Sequence, residues 1–293
     1  MNRPGLAFAV ALAAASVADH ARAEDAAPAP PPDKSAFNLF NPTPATDLRS
    51  FCSDRPTKSN GPCTVDAGQF QIESDVVNVT YDTSGGADTT TVLYTNPTLK
   101  LGLTNTLDVE VNIAPYVTVT SKDRATGRTM RASGVGDLFL RAKLNLIGDD
   151  GGNVAIALDP FVKVPTAPEP IGDGAVEEGL DVPIQFNLPA GWQLSLGPEA
   201  DGLKDALDSG QHLNIQTPLS LSHALSKTVT GFVELWGDEN FEPSGHVTQA
   251  SFDLAAAWIP AREPNFQLDG GVNLGLNNQT PRVQAYVGVS HRF

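Results

Sequence analysis

The sequence ends in Arg282-Val283-Gln284-Ala285-Tyr286-Val287-Gly288-Val289-Ser290-His291-Arg292-Phe293. Alternate residues of an extended strand share a face, so one face carries Val283, Ala285, Val287, Val289 and Phe293. An apolar face that finishes on a terminal aromatic residue is typical of the closing strand of an outer-membrane β-barrel. The stretch therefore predicts a closed sheet whose last strand is the end of this sequence.

The overall composition resembles that of a soluble protein. Mean hydropathy is −0.14, and 41% of the residues are hydrophobic. Outside the N-terminus, no apolar run reaches the roughly 20 residues that a spanning helix needs. Barrel strands conceal their apolar residues by alternation, so this composition does not exclude a membrane protein. The net charge of −15 argues against nucleic acid as a partner.

The N-terminus has the layout of a secretory signal peptide. Arg3 precedes an apolar core at residues 5–17, and Ala21-Arg22-Ala23 is a small-residue cleavage site. We therefore expect residues 1–23 to be removed on export, the alternative being an Ala-rich disordered tail. In an oxidising compartment Cys52 and Cys63 would form a disulfide that adds about 3 kcal/mol, whereas two free thiols are the alternative. Too few ligands surround them for a metal site.

The mature chain is predicted to have two parts. Residues 24–66 form an irregular leader, which begins with the proline-rich Ala26–Pro32. Residues 67–293 carry repeated alternation and are predicted to form a transmembrane, antiparallel, up-and-down β-barrel. Its twelve strands are expected near 68–80, 91–103, 107–119, 136–147, 153–165, 178–188, 191–202, 210–222, 228–238, 247–259, 265–276 and 281–293.

Each predicted strand has one face without Asp, Glu, Lys or Arg. Leu93, Val117, Leu140 and Leu254 belong to this outward set, while Tyr94 belongs to the inward set. Lipid excludes charge, at about 2–4 kcal/mol for Lys or Arg at the midplane, whereas a wet lumen tolerates it. A soluble β-sandwich would also alternate, but it would not need twelve long strands.

Loop lengths and aromatic residues predict the orientation. Short turns follow the even strands and longer loops follow the odd ones, so both termini are expected in the periplasm of a Gram-negative bacterium. The predicted partners are outer-membrane lipid and, through the strand that ends in Phe293, the barrel-assembly machinery. The outward aromatic residues form one girdle at the periplasmic end, comprising Phe70, Phe186, Trp192, Trp258, Phe266 and Phe293.

Several motifs resemble those of a known outer-membrane family. They are Asn38-Leu39-Phe40-Asn41-Pro42-Thr43-Pro44, Ser53-Asp54-Arg55-Pro56, Thr64-Val65-Asp66-Ala67-Gly68-Gln69-Phe70-Gln71-Ile72-Glu73, Gly136-Asp137-Leu138, Arg141-Ala142-Lys143-Leu144 and the closing Val287–Phe293. Together they resemble the family named for the MetA pathway of phenol degradation. The resemblance implies a barrel transporter or channel and does not imply phenol as the substrate.

Inward-facing charged and aromatic side chains are the candidates for a solute path. The residues predicted to line the lumen are Lys100, Asp108, Glu110, Tyr116, Arg141, Lys143, Asp159, Phe161, Lys163, Asp181, Glu199, Glu234, Asp269 and Tyr286. The charges either form a salt-bridge network that fills a narrow lumen or line a route for solute. The rings either fill volume or stack on a small aromatic or amphipathic solute.

Two further features bear on function. Asp54 and Arg55 precede the first strand by about a dozen residues, which lets them reach the lumen mouth as a plug. Ser220, Ser222 and His223 resemble the serine and histidine residues of barrel-embedded hydrolases. The two serines are predicted to face inward, however, and His223 is predicted to face outward. No catalytic residue, metal or cofactor is therefore assigned.

Six prolines lie inside predicted strands, where the missing N–H should produce bulges or bends: Pro97, Pro115, Pro160, Pro183, Pro198 and Pro218. The function predicted is passive diffusion of small solutes through an outer-membrane channel, not enzymatic activity. A non-conducting barrel that binds a ligand or has a structural role is the alternative, and a barrel-embedded hydrolase is the third.

Overall fold

The computed structural model describes residues 33–207 and 210–293. The predicted signal peptide and the proline-rich spacer lie outside the described residues. The strands are β1 (Phe70–Asp82), β2 (Ala87–Thr104), β3 (Leu107–Ile113), β4 (Val117–Asp123), β5 (Thr129–Gly134), β6 (Leu138–Ile147), β7 (Val154–Val164), β8 (Glu177–Asp181), β9 (Ile184–Asn187), β10 (Trp192–Leu196), β11 (Glu199–Lys204), β12 (Gln211–Ala224), β13 (Val229–Asn240), β14 (Val247–Trp258), β15 (Phe266–Gly275) and β16 (Val283–Arg292).

The helical content of the described residues is limited to two 3-10 turns, Ser84–Gly86 and Pro189–Gly191. Within the same residues there is no helix with the length and apolarity that crossing a membrane would require.

The sheet is closed by its first and last strands. β1 pairs with β2 on one side and with β16 on the other, from Gln71 opposite Arg292 to Tyr81 opposite Val283. All neighbouring strands are antiparallel. Four barrel strands are each broken into two segments, namely β3–β4, β5–β6, β8–β9 and β10–β11, so sixteen segments make twelve barrel strands. The prediction of a twelve-stranded transmembrane barrel is confirmed.

Prolines mark three of the four breaks. Pro115 separates β3 from β4, Pro183 separates β8 from β9, and Pro198 separates β10 from β11. Proline cannot donate to the sheet ladder, so regular pairing stops at each of these residues. By contrast, Pro160 and Pro218 stay within the continuous strands β7 and β12. The predicted irregularities are therefore found at some of these prolines and not at others.

A β-bulge reverses the inside–outside pattern in β1 and β2. The register of β1 against β16 shifts between Asp75 and Val77, and Thr95 on β2 has a φ of 62°. Beyond the bulge Asn78 donates a hydrogen bond to the inward carboxylate of Asp75. Val77 and its partner Tyr94 consequently face outward. The prediction that Tyr94 points inward is wrong, because an extra residue inverts the two-residue period.

The break at Pro115 has the same effect on its neighbours. Val117 is only 5% exposed and pairs with Leu93, so both predicted outward residues lie inside. Tyr116 is 48% exposed, and its ring lies 5.6 Å from that of Tyr94. The prediction that Tyr116 lines the lumen is therefore wrong, because the irregular residues at the break reset the alternation.

The two ends of the barrel differ in their connections. The short-turn end carries Asn105-Thr106, residues 148–153, and residues 225–228, while the long-loop end includes residues 165–176. One of the expected longer loops, between β4 and β5, is short, because these strands pair as a hairpin from Val117 opposite Gly134 to Lys122 opposite Thr129. Outward aromatic rings cluster at the short-turn end, where Phe70 lies 5.7 Å from Phe293 and Trp192 stacks on His223 at 4.4 Å.

Candidate functional site inside the barrel

The leader runs from the short-turn end into the barrel, and its cationic and anionic groups meet inward side chains of the wall. At the short-turn end, the Arg49 guanidinium pairs with Asp66 at 2.9 Å and with Asp149 in the turn after β6. Burial raises the pKa of Asp149, and the neighbouring Arg49 and Thr64 partly offset that rise. Gly102 lets this part of the leader pass close to β2, since a Cβ there would collide with the carbonyl oxygen of Asp66.

Asp54 joins the leader to two lysines of the wall. Its Oδ2 accepts a hydrogen bond from Lys143 Nζ at 2.6 Å and also pairs with Lys100. Lys143 and Lys100 in turn lie 3.4 Å from Glu110 Oε1, and Lys100 lies 3.0 Å from Glu73. These ion pairs are buried, so losing either partner would leave an uncompensated charge inside the barrel.

Arg55 binds carboxylates on two different strands. Its Nη1 lies 2.7 Å from Asp75 on β1, and its Nη2 lies 2.8 Å from Asp269 on β15. The guanidinium also lies 5.7 Å from the ring centre of Tyr286. The hydroxyl of Tyr286 donates to the carbonyl oxygen of Pro56 at 2.5 Å. The wall thus fixes both the charge and the backbone of this part of the leader.

Lys58 extends the same contacts to the next strands. Its Nζ lies 2.5 Å from Asp253 on β14 and 4.7 Å from the centre of the Trp236 ring. The carboxylate of Glu234 on β13 accepts hydrogen bonds from the backbone N–H groups of Lys58 and Ser59, at 2.9 and 3.1 Å. Glu234, which is one of the predicted lumen residues, therefore binds the backbone of the leader.

The part of the leader that carries these contacts is a closed loop. Cys52 and Cys63 form the predicted disulfide. Within the loop, Asp54 Oδ1 accepts the backbone N–H of Gly61 at 2.8 Å, which folds the segment back on itself. Asn60 donates to Asp181 on β8 at 2.8 Å. We call residues 52–63 the plug loop.

Some of the candidate lumen residues contact the leader, and the others form pairs on the surrounding wall. Asp108 accepts the backbone N–H of Val65 at 2.8 Å. On the remaining wall, charges pair with one another or with loops. Arg141 bonds Asp159 at 3.2 Å and stacks over Phe161 at 4.3 Å, Glu199 accepts from Gln216 at 2.6 Å, and Lys163 pairs with Asp173 and Glu177 at 2.7 Å. Tyr116 alone among the candidates lies on the outer surface.

Two cavities lie on opposite sides of the plug loop. One, of about 260 Å³, is bordered by Asp54, Arg55, Lys100, Glu110 and Arg141 and opens toward the long loops. The other, of about 420 Å³, extends toward the short-turn end. We call it the lower cavity. Because Asp54 and Arg55 border both cavities, the plug loop is the partition between them.

Several contacts between the leader and the wall involve residues that the sequence did not single out. Arg49, Lys58 and Asn60 make wall contacts comparable to those of Asp54 and Arg55. One signal was available, because three cations lie within ten residues, at Arg49, Arg55 and Lys58, in a strongly acidic chain. Their individual partners lie up to about 200 residues away, and no local pattern identifies them.

The arrangement of Ser220, Ser222 and His223 does not make a nucleophile–base pair. Ser220 and Ser222 border the lower cavity inside the barrel. His223 lies outside, where its ring stacks on Trp192 and its Nδ1 lies 3.2 Å from the carbonyl oxygen of Gly191. Catalysis by a serine requires its hydroxyl within hydrogen-bond reach of the base, and here the wall lies between them.

One group in the described residues could hold a metal ion. Asp205, His212 and Glu242 meet at the long-loop end, with His212 Nδ1 2.9 Å from Asp205 and 3.5 Å from Glu242. A hydrogen bond between His212 and Asp205 accounts for this contact without a cation. We therefore assign no metal to it, and the expected absence of metals and cofactors stays a prediction.

Together these features define a transmembrane β-barrel whose lumen is partitioned by its own N-terminal segment. The chain belongs to the family described as the MetA-pathway of phenol degradation, whose model matches residues 53–293. No curated protein sequence matches it significantly.

A solved outer-membrane channel shares the fold of this chain. The COG4313 outer membrane channel from Pseudomonas putida F1 superposes with a TM-score of 0.62 at 15% identity, covering 81% of this chain and 99% of that one. The NanC porin gives a TM-score of 0.48 at 9% identity, covering 75% and 98%. The β domain of the Bordetella autotransporter BrkA gives 0.47 at 12% identity, covering 77% and 99%.

Proposed function

We propose that this protein is an outer-membrane channel for passive diffusion of small solutes, and that its plug loop limits the flow. The observation that carries the proposal is the position of residues 52–63 between two lumen cavities, held by ion pairs to the wall. The outer-membrane location is supported by the closed barrel with an apolar exterior and by similarity of fold to outer-membrane barrels. The short-turn end then faces the periplasm, and strand β16 is the segment offered to the barrel-assembly machinery.

Solute size and type follow from the lumen. The cavities are small, and inward carboxylates outnumber inward cations, so uncharged solutes should pass more readily than anions of the same size. Phe139, Phe161, Phe232 and Trp236 offer rings on which an aromatic or amphipathic solute can stack. Neutral aromatic solutes should accordingly pass better than aromatic acids.

Deletion of residues 33–66 tests the proposal. The full chain and the shortened chain are reconstituted in liposomes, and solute flux is compared at equal amounts of folded protein. The shortened barrel should pass solute faster, because the partition and its buried ion pairs are gone. If neither protein passes ions or solute, the barrel is non-conducting, and a ligand-binding or structural role replaces the channel. If both proteins pass solute at the same rate, the leader is only a tether.

A further inference from the structure

The lower cavity has a wall unlike the rest of the lumen. On β9, β10 and β12 it is bordered by the side chains of Gln185, Gln193, Ser195, Ser220 and Ser222. Among the described residues, the strand positions that border it are all non-ionisable, and the wall cation Lys227 belongs to a turn at the mouth. Its volume of about 420 Å³ lies in the range of small-molecule sites.

The plug loop does not bond to this neutral wall. In the described residues, its hydrogen bonds and ion pairs reach β1, β2, β6, β8, β13, β14, β15 and β16. The amides of Gln185 and Gln193 instead donate to Asn187 on the same wall. The lower cavity therefore exists because the plug loop is anchored to other strands and leaves a gap beside β9, β10 and β12.

A buried hydroxyl of this wall has no hydrogen-bond partner among the described residues. Ser220 is only 3% exposed, and its Oγ makes no hydrogen bond. A buried polar atom without a partner costs free energy, and such atoms are found where a ligand or water completes the bonding. Phe51 of the leader and Phe232 of β13 border the same cavity and add apolar surface. The hydroxyl and amide groups can hydrogen-bond to the hydroxyls of a solute, and the aromatic rings can pack against its C–H groups. The lining therefore suits a solute that carries several hydroxyls on a short carbon chain.

We propose that the lower cavity is a binding site for a small uncharged polyol, of four to six carbons, on the path through the barrel. The site discriminates against ions, because its only charged neighbours in the leader are already paired. Asp54 is bound to Lys100 and Lys143, and Arg55 is bound to Asp75 and Asp269. That solute passes through this site on its way across the membrane rests on the proposed channel function. Binding of the polyol does not depend on that function.

Saturation-transfer NMR on the purified full-length barrel tests binding without requiring conduction. The probes are erythritol and threonate, which have the same carbon number and differ in charge. Erythritol should bind and threonate should not. Ser220→Val removes the unpartnered hydroxyl and should weaken erythritol binding roughly three- to tenfold. Thr98→Val is the matched control, because Thr98 is an inward hydroxyl that borders the other cavity.

A second variant tests the site independently, in case the cavity adjusts to the change at Ser220. Ser222→Leu fills the cavity and should abolish erythritol binding, with folding checked by the heat-modified mobility of the barrel. Equal binding of threonate, or erythritol binding unchanged in both serine variants, overturns the site. Ion current through planar bilayers separates the two proposals. If current flows and erythritol does not bind, only the site fails. If erythritol binds as expected and no current flows even without the leader, the site stands and the channel fails.

Discussion

Arg55 and Asp269, which are 214 residues apart in the sequence, form a two-nitrogen ion pair inside the barrel. Arg55 Nη2 lies 2.8 Å and Nε 3.1 Å from Asp269 Oδ1, while Nη1 reaches Asp75 two strands away. The guanidinium passes over Gly288 of β16, which lies between those strands, and a Cβ at that position would occupy the same space. Breaking a buried pair by removing one partner costs about 3–5 kcal/mol, so this contact is a main anchor of the plug loop.

Arg55→Ala should release the plug loop from the wall. We expect larger and more variable single-channel conductance in planar bilayers, because Asp75 and Asp269 lose their shared partner and the loop loses a main attachment. Arg282→Ala is the control, since Arg282 is an exposed arginine at the long-loop end whose Nε donates to the hydroxyl of Thr83, away from the plug loop. An unchanged conductance in Arg55→Ala would contradict the role of the loop as a partition.

Gly288→Ala tests the same anchor without altering any charge. The added methyl group meets the guanidinium, so Arg55 has to leave its carboxylates. The conductance of Gly288→Ala should resemble that of Arg55→Ala, and combining the two changes should add little. Additive effects would indicate that Gly288 acts on the barrel wall and not through Arg55.

Reduction of Cys52–Cys63 should loosen the plug loop. The disulfide closes a loop with a sequence separation of 11 residues, which restricts its conformations by about 3 kcal/mol in chain-entropy terms. Without that restriction the loop must order itself on the wall at a greater entropic cost, so openings should become more frequent when a reductant is added. The double variant Cys52→Ser with Cys63→Ser should show the same frequency and no response to reductant. A reductant response in that variant would point to another cause.

The alternation of the sequence predicts the barrel because lipid requires an uncharged outer face on every strand. The same rule fails locally where one residue is inserted. Past Val76, and again at Pro115, inside and outside exchange, so Tyr94 and Tyr116 were assigned to the wrong face. In β1 the reversal leaves a trace, because the outward apolar residues shift from Phe70 and Ile72 to Val77 and Val79. After Pro115 there is no such trace, because the inward Val117 is itself apolar.

The contacts of the leader could be predicted from the sequence only in part. Its distance from β1 and its charges predict that Asp54 and Arg55 can reach the lumen mouth. Their partners cannot be deduced, because Lys143 and Asp269 become neighbours of the loop only when twelve strands close with one particular register. The neutral wall around Ser220 has the same origin, since it depends on which strands the loop leaves unbound.

Arginine on the outer face should prevent insertion. Leu140 and Leu254 are exposed on the outside of β6 and β14, where a cation costs about 2–4 kcal/mol at the bilayer midplane. Leu140→Arg and Leu254→Arg should fail to reach the folded, heat-modifiable form, and Gln284→Arg should reach it. Gln284 faces the lumen, where its amide donates to Asn78. Equal folding yields for all three variants would refute the assignment of faces.

The plug loop should also set ion selectivity. It places Arg55 and Lys58 against Asp75, Asp253 and Asp269, which cancels much of the negative charge of the wall. The full chain should therefore show only weak cation preference, measured as a small reversal potential under a salt gradient. Lys58→Ala combined with Arg55→Ala uncovers those carboxylates and should increase the preference. Lys227→Ala is the control, because that lysine lies in a turn at the mouth.

High salt separates charge selectivity from size selectivity in the same experiment. The Debye length is about 10 Å at 0.1 M and about 3 Å at 1 M, so the cation preference of the double variant should be lost at the higher concentration. A preference that persisted at 1 M salt would mean that a narrow constriction selects the ions. Anion selectivity at low salt would show that Lys100, Arg141, Lys143 and Lys163 line the narrowest point. In that case the local arrangement of cations outweighs the excess of carboxylates along the wall.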